Sequence, residues 1–283
     1  MRLVTRRAAL ALLVVIWNLP LPAAAQSTAA PAPLTLTPAQ MEEFLLRAEI
    51  VRSRPVGTGV TGSLRATLSN GALTHDAQIQ YVNQTRPLFQ AAGAAAELNF
   101  KDAYRYNIAG YRLAVLLGLD NVPMSVERRV DGKMAVLTWW IDAVMMDEKE
   151  RLAKDARGPD PERTAMQTHI MRVFDELISN RDRNMGNLLW TTDWKMWMID
   201  HTRAFRLGDE LQRPAVLLRV ERSLLENMRR LTAAEVAKAM GSYLTRAEVT
   251  AVIERRDVIV KLFDSKIAER GEAAVVYTLA RRD

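Results

Sequence analysis

The apolar and polar positions in the first part of the chain change their period. Over residues 37–51 the apolar side chains fall on one face, with Thr37 as N-cap, which predicts a capped helix. Single-residue alternation follows on both sides of "SNGA" and predicts a β-hairpin. We expect Asn70 and Gly71 to take the positive φ angles that a two-residue hairpin turn requires.

A second helix and a second hairpin are predicted next. Residues 100–119 have a helical apolar face that closes near Gly118. Two further strands are predicted about the Asp131-Gly132 turn. The first folded segment is therefore predicted to run helix, hairpin, helix, hairpin.

The second half of the chain has mainly helical patterns. A helix is predicted from Pro161, with apolar residues spaced by four, three and four at Met166, Ile170, Val173 and Leu177. The runs "LLW" and "WKMWMID" predict a small hairpin. From about Pro214 the pattern is helical again, including "LLRVERSLLENMRRL". Thr232 and Thr245, each with glutamate three residues later, predict capping boxes.

The first 25 residues have the pattern of a secretory signal peptide. Three arginines precede an apolar run, and Ala23 to Ala25 form a small-residue cleavage site. The alternative is a retained membrane anchor, but the apolar run is shorter than the roughly 20 residues that span a bilayer. Residues 26–37, rich in Pro, Ala, Ser and Thr, are predicted to be a disordered linker. We therefore expect an exported protein, periplasmic or secreted, with no stable membrane span after cleavage.

Composition excludes several classes of function. Cleavage would remove three arginines and no acid, which lowers the formal charge from +6 to +3, too little to indicate a nucleic-acid partner. The absence of cysteine excludes disulfides, thiol nucleophiles and thiolate metal sites. The three histidines lack zinc-ligand spacing, and no G-x-S-x-G elbow of a serine hydrolase is present.

The stretch "NRDRNMGN", residues 180–187, carries the strongest candidate chemistry. Asp182 precedes Asn187 by five positions, the separation found in the catalytic loop of kinases. A predicted helix lies before it and a predicted hairpin after it, and Asp200 ends the second strand of that hairpin. One carboxylate and one amide oxygen suit Mg²⁺. The alternative is a polar turn with an asparagine-rich cap.

These residues carry a family resemblance. "NRDRNMGNLL" and "MIDHTRAF" resemble the catalytic motifs of atypical kinases: phosphatidylinositol 3- and 4-kinases, HipA-like kinases and secretory Golgi casein kinases. The resemblance implies an α+β, two-lobed protein-kinase-like fold, with a β-rich N-lobe at residues 38–142 and a helical C-lobe at 143–283. It also implies that Asp182 is the catalytic base, that Arg183 orders the loop, and that Asn187 and Asp200 hold Mg²⁺ or Mn²⁺ with ATP.

A glycine motif is the second candidate. "GTGVTG" places Gly57, Gly59 and Gly62 in G-x-G-x-x-G spacing. A dinucleotide site would need a helix directly afterwards, whereas the following pattern predicts strands, as after a kinase phosphate-covering loop. The alternative is a flexible loop at the start of a strand.

The chain departs from the kinase pattern at one charged pair. A kinase pairs a strand lysine with a helix glutamate, whereas this chain has Gln78 and Gln80 on the strand and Asn107 on the helix. Gln80 and Asn107 thus occupy predicted cofactor-binding positions, as a coordinated replacement by amides. The candidate substitutes for the cation are Lys101, Arg105 and Arg86, and the candidate acidic partners are Glu97 and Asp102.

Two further segments have open interpretations. In "TWWIDAVMMD" the chain would cross a purine face, or Trp139 and Trp140 would be core or interface residues. Arg203 is interpreted as a structural ion-pair partner.

The predicted function is phosphoryl transfer from a nucleotide, with ATP expected, to an unidentified hydroxyl acceptor. The alternative is a pseudokinase that binds a nucleotide or a partner without turnover.

Overall fold

The computed structural model describes residues 36–57, 62–90 and 97–280 of the 283-residue chain. The predicted signal peptide and nearly all of the predicted linker lie outside these residues. Residues from Leu36 onward form one compact unit. No helix in the described ranges is long and apolar enough to cross a membrane.

An antiparallel five-stranded sheet and one helix form the β-rich part of the molecule. Its strands are β1 (Glu49–Pro55), β2 (Leu64–Ser69), β3 (Thr74–Gln80), β6 (Ser125–Val130) and β7 (Lys133–Trp139), in the spatial order β1-β2-β3-β7-β6. Helix α1 (Pro38–Arg47) begins at the Thr37 capping box and packs on this sheet. Leu45, Leu68, Ile79 and Leu137 are among the side chains that fill the space between them.

Strand β1 corrects the first helix prediction. The helix was predicted to reach Val51 but ends at Arg47, and Ala48 already has extended backbone angles. The β-branched Ile50 and Val51 favour a strand, and β1 is hydrogen-bonded along β2. Tertiary pairing therefore overrides a helical apolar pattern at this point.

The two predicted hairpins have different turns. Gly71 has φ of 87°, but Asn70 is not left-handed, so the predicted pair of positive φ angles is wrong there. The Asn70 side chain instead accepts hydrogen bonds from the backbone N–H groups of Ala72 and Leu73. In the second hairpin both Asp131 and Gly132 have positive φ, as a two-residue turn requires.

A separate two-stranded sheet was not predicted. It consists of β4 (Asn83–Phe89) and β5 (Glu97–Ala103). Helix α2 (Arg105–Leu116) consequently begins five residues later than predicted, because Phe100 to Ala103 are used in strand pairing. It ends at Leu116, and the left-handed Gly118 follows the C-cap Leu117, near the predicted end of the helix.

The remaining elements form the helical part. They are β8 (Val144–Asp147), α3 (Glu148–Ala153), α4 (Pro161–Leu177), β9 (Leu188–Thr191), β10 (Met196–Met198), β11 (Val220–Glu221), α5 (Arg222–Arg230), α6 (Ala233–Met240), α7 (Arg246–Arg270), α8 (Glu272–Val275) and β12 (Val276–Tyr277). The predicted hairpin is β9–β10, which β8 extends to three strands. Both predicted capping boxes are present, at Thr232 and Thr245. Helix α5 starts at Arg222, later than predicted, because Val220 pairs with Val276.

The buried apolar residues form two clusters, one under the five-stranded sheet and a larger one among the helices. Tyr111 of α2 packs against both clusters. The architecture is thus α+β, with a β-rich part and a helical part, as predicted. The boundary placed near residue 142 stays a prediction.

Candidate active site

The loop that carries Asp182 starts where α4 ends. Ser179 takes a left-handed conformation, and the backbone N–H of Asn180 donates to the carbonyl of Asp175. The Asn180 side-chain oxygen then accepts from the backbone N–H of Asp182 at 3.2 Å. The Asp182 side chain is 47% exposed, and its Oδ1 accepts from Arg203 Nη1 at 3.0 Å. A carboxylate at this position is both fixed by the loop and open to a substrate.

Arg183 ties the loop to the β9–β10 hairpin. Its guanidinium makes a two-point ion pair with Asp175, at 2.8 and 2.9 Å, and both side chains are at least 93% buried. Nη1 also donates to the carbonyls of Asn187 and Ile199. Nη2 lies 3.1 Å from His201 Nε2, which must accept because arginine has only donors. Arg183 is therefore saturated by protein groups and positions the loop.

Asp200 lies in an acidic environment. Its backbone is left-handed, with φ of 56°, and its Oδ1 accepts from the Thr202 hydroxyl. Burial raises the pKa of the Asp200 carboxyl above its usual range, and the Asp102 and Asp182 carboxylates raise it further. Bringing a cation to these carboxylates would relieve both effects.

Asp102 was missed as a member of this group. The sequence analysis named Asp102 only as a candidate acidic partner for a cation that replaces the strand lysine. It was not linked to Asp182, because it lies 80 residues earlier in the chain. Burial raises the pKa of the Asp102 carboxyl, and Asp182 contributes to the rise. Its Oδ1 is buried without a hydrogen-bond partner among the described residues. No local pattern marks it, since its position depends on the unpredicted strand β5.

The predicted metal ligands are connected through the backbone. The carbonyl of Asn187 accepts from the N–H of Ile199 at 3.0 Å, and Ile199 directly precedes Asp200. Amide and carboxylate oxygens are the hard ligands that suit Mg²⁺ and Mn²⁺. Within the described ranges, no group of three or more His, Cys, Asp or Glu side chains could hold a metal ion. The two protein ligands of the kinase pattern would need further oxygens from phosphate and water.

The two amides that replace the charged pair are in direct contact. Asn107 Nδ2 donates to Gln80 Oε1 at 2.6 Å, and both residues are more than 95% buried. Asn107 Oδ1 accepts from the backbone N–H of His201 at 2.7 Å. One side chain thus connects β3 and α2 to the residue after Asp200. Helix α2 packs closely against His201 at Gly110. A Cβ added to this glycine would lie 3.2 Å from the imidazole ring.

His201 is sealed in this position in its neutral form. It is 1% exposed and makes an edge contact with Phe174. Burial, together with the Arg183 guanidinium, holds the pKa of the imidazole well below its usual range. The segment after Asp200 is therefore held by uncharged contacts on one side and by Arg183 on the other.

The three candidate substitutes for the lysine are used elsewhere. Lys101 pairs at 2.6 Å with Glu248, which is fully buried. Arg105 lies over the ring of Tyr106. Arg86 is exposed on β4. None of the three contacts the Asp182 carboxylate in the structure. The cation that does is Arg203, which forms the ion pair expected of it, with the predicted base as its partner.

Two glycines of the motif flank the described ends of the β1–β2 hairpin, since Gly57 follows β1 and Gly62 precedes β2. Val56 N–H donates to the Ser63 carbonyl and closes the loop, and Gly62 is left-handed with φ of 64°. Strands flank the motif on both sides, which agrees with a covering loop and not with a dinucleotide fold. Gly59 lies outside the described residues, and no side chain crowds Gly57.

The tryptophans of "TWWIDAVMMD" have protein partners. Trp139 stacks on His75 at 3.9 Å and makes an edge contact with Phe44. Arg65 lies over the Trp140 ring at 4.2 Å. These contacts agree with the alternative interpretation, in which Trp139 and Trp140 are core or interface residues. The segment continues into β8, which pairs with β9 beside the Asp182 loop.

Comparison with known structures agrees with this architecture. The structure of hydra Fam20 with sugar matches with a TM-score of 0.65 at 13% identity, over 85% of this chain and 92% of that chain. The Golgi casein kinase with Mn/ADP bound matches with a TM-score of 0.62 at 14% identity, over 86% and 80%. The Helicobacter pylori proinflammatory kinase CtkA matches with a TM-score of 0.52 at 11% identity, over 80% and 97%.

At these identities the likeness establishes the fold, which is a kinase-like α+β fold. No protein-family model and no curated protein sequence matches the chain. The predicted resemblance to secretory Golgi casein kinases thus agrees with the fold comparison. The resemblance to phosphatidylinositol kinases and HipA-like kinases stays a prediction.

Proposed function

We propose that this protein is an exported, metal-dependent phosphotransferase that moves a phosphoryl group from a nucleotide, with ATP expected, to a hydroxyl acceptor. One observation carries the proposal. The Arg183 side chain donates hydrogen bonds to the carbonyls of Asn187 and Ile199, so the loop that carries Asp182 and Asn187 is fixed beside Asp200. A fixed loop of this kind supports the proposal, because catalysis of phosphoryl transfer is mostly positioning and charge stabilisation.

The proposed roles follow from exposure and chemistry. Asp182, half exposed and paired with Arg203, accepts the proton of the attacking hydroxyl. The acceptor oxygen forms a bond to the terminal phosphorus while the bond from that phosphorus to the nucleotide diphosphate breaks. Asn187 and Asp200 would hold Mg²⁺ or Mn²⁺, which when bound neutralises charge on the phosphates.

The remaining predicted residues surround the nucleotide in this proposal. Gly57, Gly59 and Gly62 form the loop that covers the phosphates, and Gln80 and Asn107 line the site beneath it. The nucleotide and metal assignments are supported by the Golgi casein kinase structure with Mn/ADP bound. Export is supported by the signal-peptide pattern of residues 1–25.

A binding protein without turnover is the second candidate, and the Gln80–Asn107 contact favours it. Neutral amides cannot supply the charge that a strand lysine gives to the α and β phosphates. Loss of one preorganised electrostatic group typically costs about 3–4 kcal/mol of transition-state stabilisation. A nucleotide site tolerates such a loss better than fast catalysis does.

Thermal unfolding with Mg²⁺ or Mn²⁺ and ATP tests the first step. A ligand at 100 times its Kd stabilises the fold by about 2.7 kcal/mol. We expect this shift in the wild type and in the control Asp120→Asn, whose carboxylate is exposed and paired with Lys195. It should be lost in Asp200→Asn. A wild type that no nucleotide stabilises would contradict the enzyme and the nucleotide-binding pseudokinase, and would leave a pseudokinase that binds a partner.

Phosphate transfer then separates the two candidates. Radiolabelled transfer from ATP to the protein itself or to water is compared in the wild type, Asp182→Asn and Asp120→Asn. Transfer that only Asp182→Asn loses supports the enzyme, with Asp182 as base. Binding without transfer in any variant supports the pseudokinase, and equal transfer in all three would mean that Asp182 is not the base.

A further inference from the structure

Among the residues that the structure describes, Arg203 is the cation in contact with the predicted base. Its Nη1 lies 3.0 Å from Asp182 Oδ1, and its side chain is 23% exposed. It also acts electrostatically on Asp102, whose pKa it lowers against the larger effect of burial. Arg203 therefore lies among the carboxylates of the candidate site, where a polyanionic ligand would need a positive group.

The distances place Arg203 within reach of the transferring phosphoryl group. An acceptor oxygen lies about 2.6–3.2 Å from its general base and about 3–3.5 Å from the atom that it attacks. The phosphorus therefore lies within about 7 Å of the Asp182 carboxylate. Since Arg203 already touches that carboxylate, its guanidinium lies within the same range of the Asp182 carboxylate as the phosphate oxygens would.

Aromatic contacts hold the guanidinium at this place. Arg203 lies 5.0 Å from the ring centre of Phe100 and 6.0 Å from that of Phe89, and these two rings stack on each other. Such contacts favour a cation without neutralising it. By contrast, Arg206 donates to the carbonyls of Asn99 and Lys101, so it anchors backbone.

We propose that Arg203 is a catalytic residue that binds the phosphates of the nucleotide and replaces the missing strand lysine. In the free protein it pairs with Asp182, and with nucleotide bound it exchanges this carboxylate for a phosphate oxygen. The exchange leaves Asp182 free to accept the proton of the acceptor hydroxyl. This inference rests on the proposed function, and it assigns to Arg203 a role beyond that of a structural ion pair.

Calorimetric titration of Arg203→Gln, Arg203→Lys and the control Arg47→Gln tests the assignment, with MgATP and with adenosine as ligands; the Arg47 side chain is 78% exposed and pairs with Glu43 on α1. We expect Arg203→Gln to weaken MgATP binding about 10- to 100-fold, as for a lost hydrogen bond to a charged group. Adenosine affinity should change less than about twofold, since adenosine carries no phosphate. Arg203→Lys should recover part of the loss, and Arg47→Gln should resemble the wild type.

The result that overturns this inference differs from the one that overturns the proposed function. If the wild type binds MgATP and Arg203→Gln binds it equally well, Arg203 has no phosphate role while the nucleotide site remains. The same conclusion follows if Arg203→Gln lowers the affinities for MgATP and for adenosine equally, since an equal loss indicates a structural effect. If the wild type binds no nucleotide, both proposals fail.

A double-mutant cycle with Asp182 tests the exchange itself. Asp182→Asn removes the competing partner of Arg203, so MgATP should bind more tightly than in the wild type. Removal of simple repulsion between Asp182 and phosphate would also tighten binding, but it would do so equally in the Arg203→Gln background. We expect the gain to be at least about threefold smaller in that background, which corresponds to a coupling within the usual range for contacting residues. Equal gains would overturn the exchange.

Discussion

The buried amide pair allows a quantitative prediction. Asn107→Leu removes the donor to Gln80 Oε1 and the acceptor of the His201 backbone N–H, so it strands two buried polar groups. Each unsatisfied group costs about 1–3 kcal/mol, and the variant should therefore lose about 2–6 kcal/mol of unfolding free energy. Gln80→Met strands only Asn107 Nδ2 and should lose about 1–3 kcal/mol.

The double variant provides the decisive comparison. With both amides gone, only the His201 N–H remains unsatisfied, so the loss should again be about 1–3 kcal/mol. The double variant should thus be more stable than Asn107→Leu alone, although it carries one more substitution. Urea unfolding followed by circular dichroism measures all three, with Gln78→Met as the control on the same strand. Additive losses would refute a direct bond between the two amides.

The same variants report on the candidate metal site. Of the two amides, Asn107 is the one that contacts the backbone beside Asp200, so Asn107→Leu should reduce the thermal stabilisation by Mn²⁺ and ATP more than Gln80→Met does. Ligand-induced shifts are compared for each variant relative to its own ligand-free melting temperature. Equal reductions would mean that Asn107 acts on the fold alone.

Three further predictions concern stability, each measured by urea unfolding. Arg183→Met should cost about 3–5 kcal/mol because it leaves the buried Asp175 carboxylate uncompensated, and Asp175→Asn in the same chain should recover part of that cost. Lys101→Met should cost less, about 1.5–3 kcal/mol, because Glu248 keeps its hydrogen bonds from Tyr106 and Thr245. Burial, aided by nearby arginines, lowers the pKa of His169, so the unfolded chain takes up the proton first as the pH falls below about 6.5. As the pH falls, the unfolding free energy of the wild type should therefore decrease relative to that of His169→Phe, by at most about 1.4 kcal/mol per pH unit. A difference between the two proteins that does not change with pH would contradict the lowered pKa of His169.

Local signals in the sequence predicted the parts of the fold that local chemistry determines. The capping boxes at Thr232 and Thr245 and the Asp131-Gly132 turn each depend on side chains within three residues of one another. The order of helix, polar loop, hairpin and Asp200 was also visible, because it is an order along the chain. Element order was therefore enough to predict the kinase-like fold.

The unpredicted features depend on contacts between distant segments. Strand β5 exists because it pairs with β4, and it brings Asp102 to a site formed some 80 residues later. No spacing rule could have assigned that carboxylate. The simultaneous absence of both charges suggested that Gln80 and Asn107 replace the charged pair together, but their direct bond and its extension to His201 required the positions of β3 and α2.

The amide pair and Arg203 together suggest how the candidate site could keep its geometry and a phosphate-binding charge without the lysine–glutamate pair. A buried lysine–glutamate pair must overcome a desolvation cost of several kcal/mol per ion before it stabilises the fold, whereas neutral amides avoid most of that cost. The Gln80–Asn107–His201 connection therefore keeps Asp200 positioned without a bound ligand, but it gives up the phosphate-binding charge. Any transfer activity must then depend on a cation from the other side of the site. Arg203 is such a cation, and because it also holds the predicted base, loading the nucleotide and releasing the base would become one event.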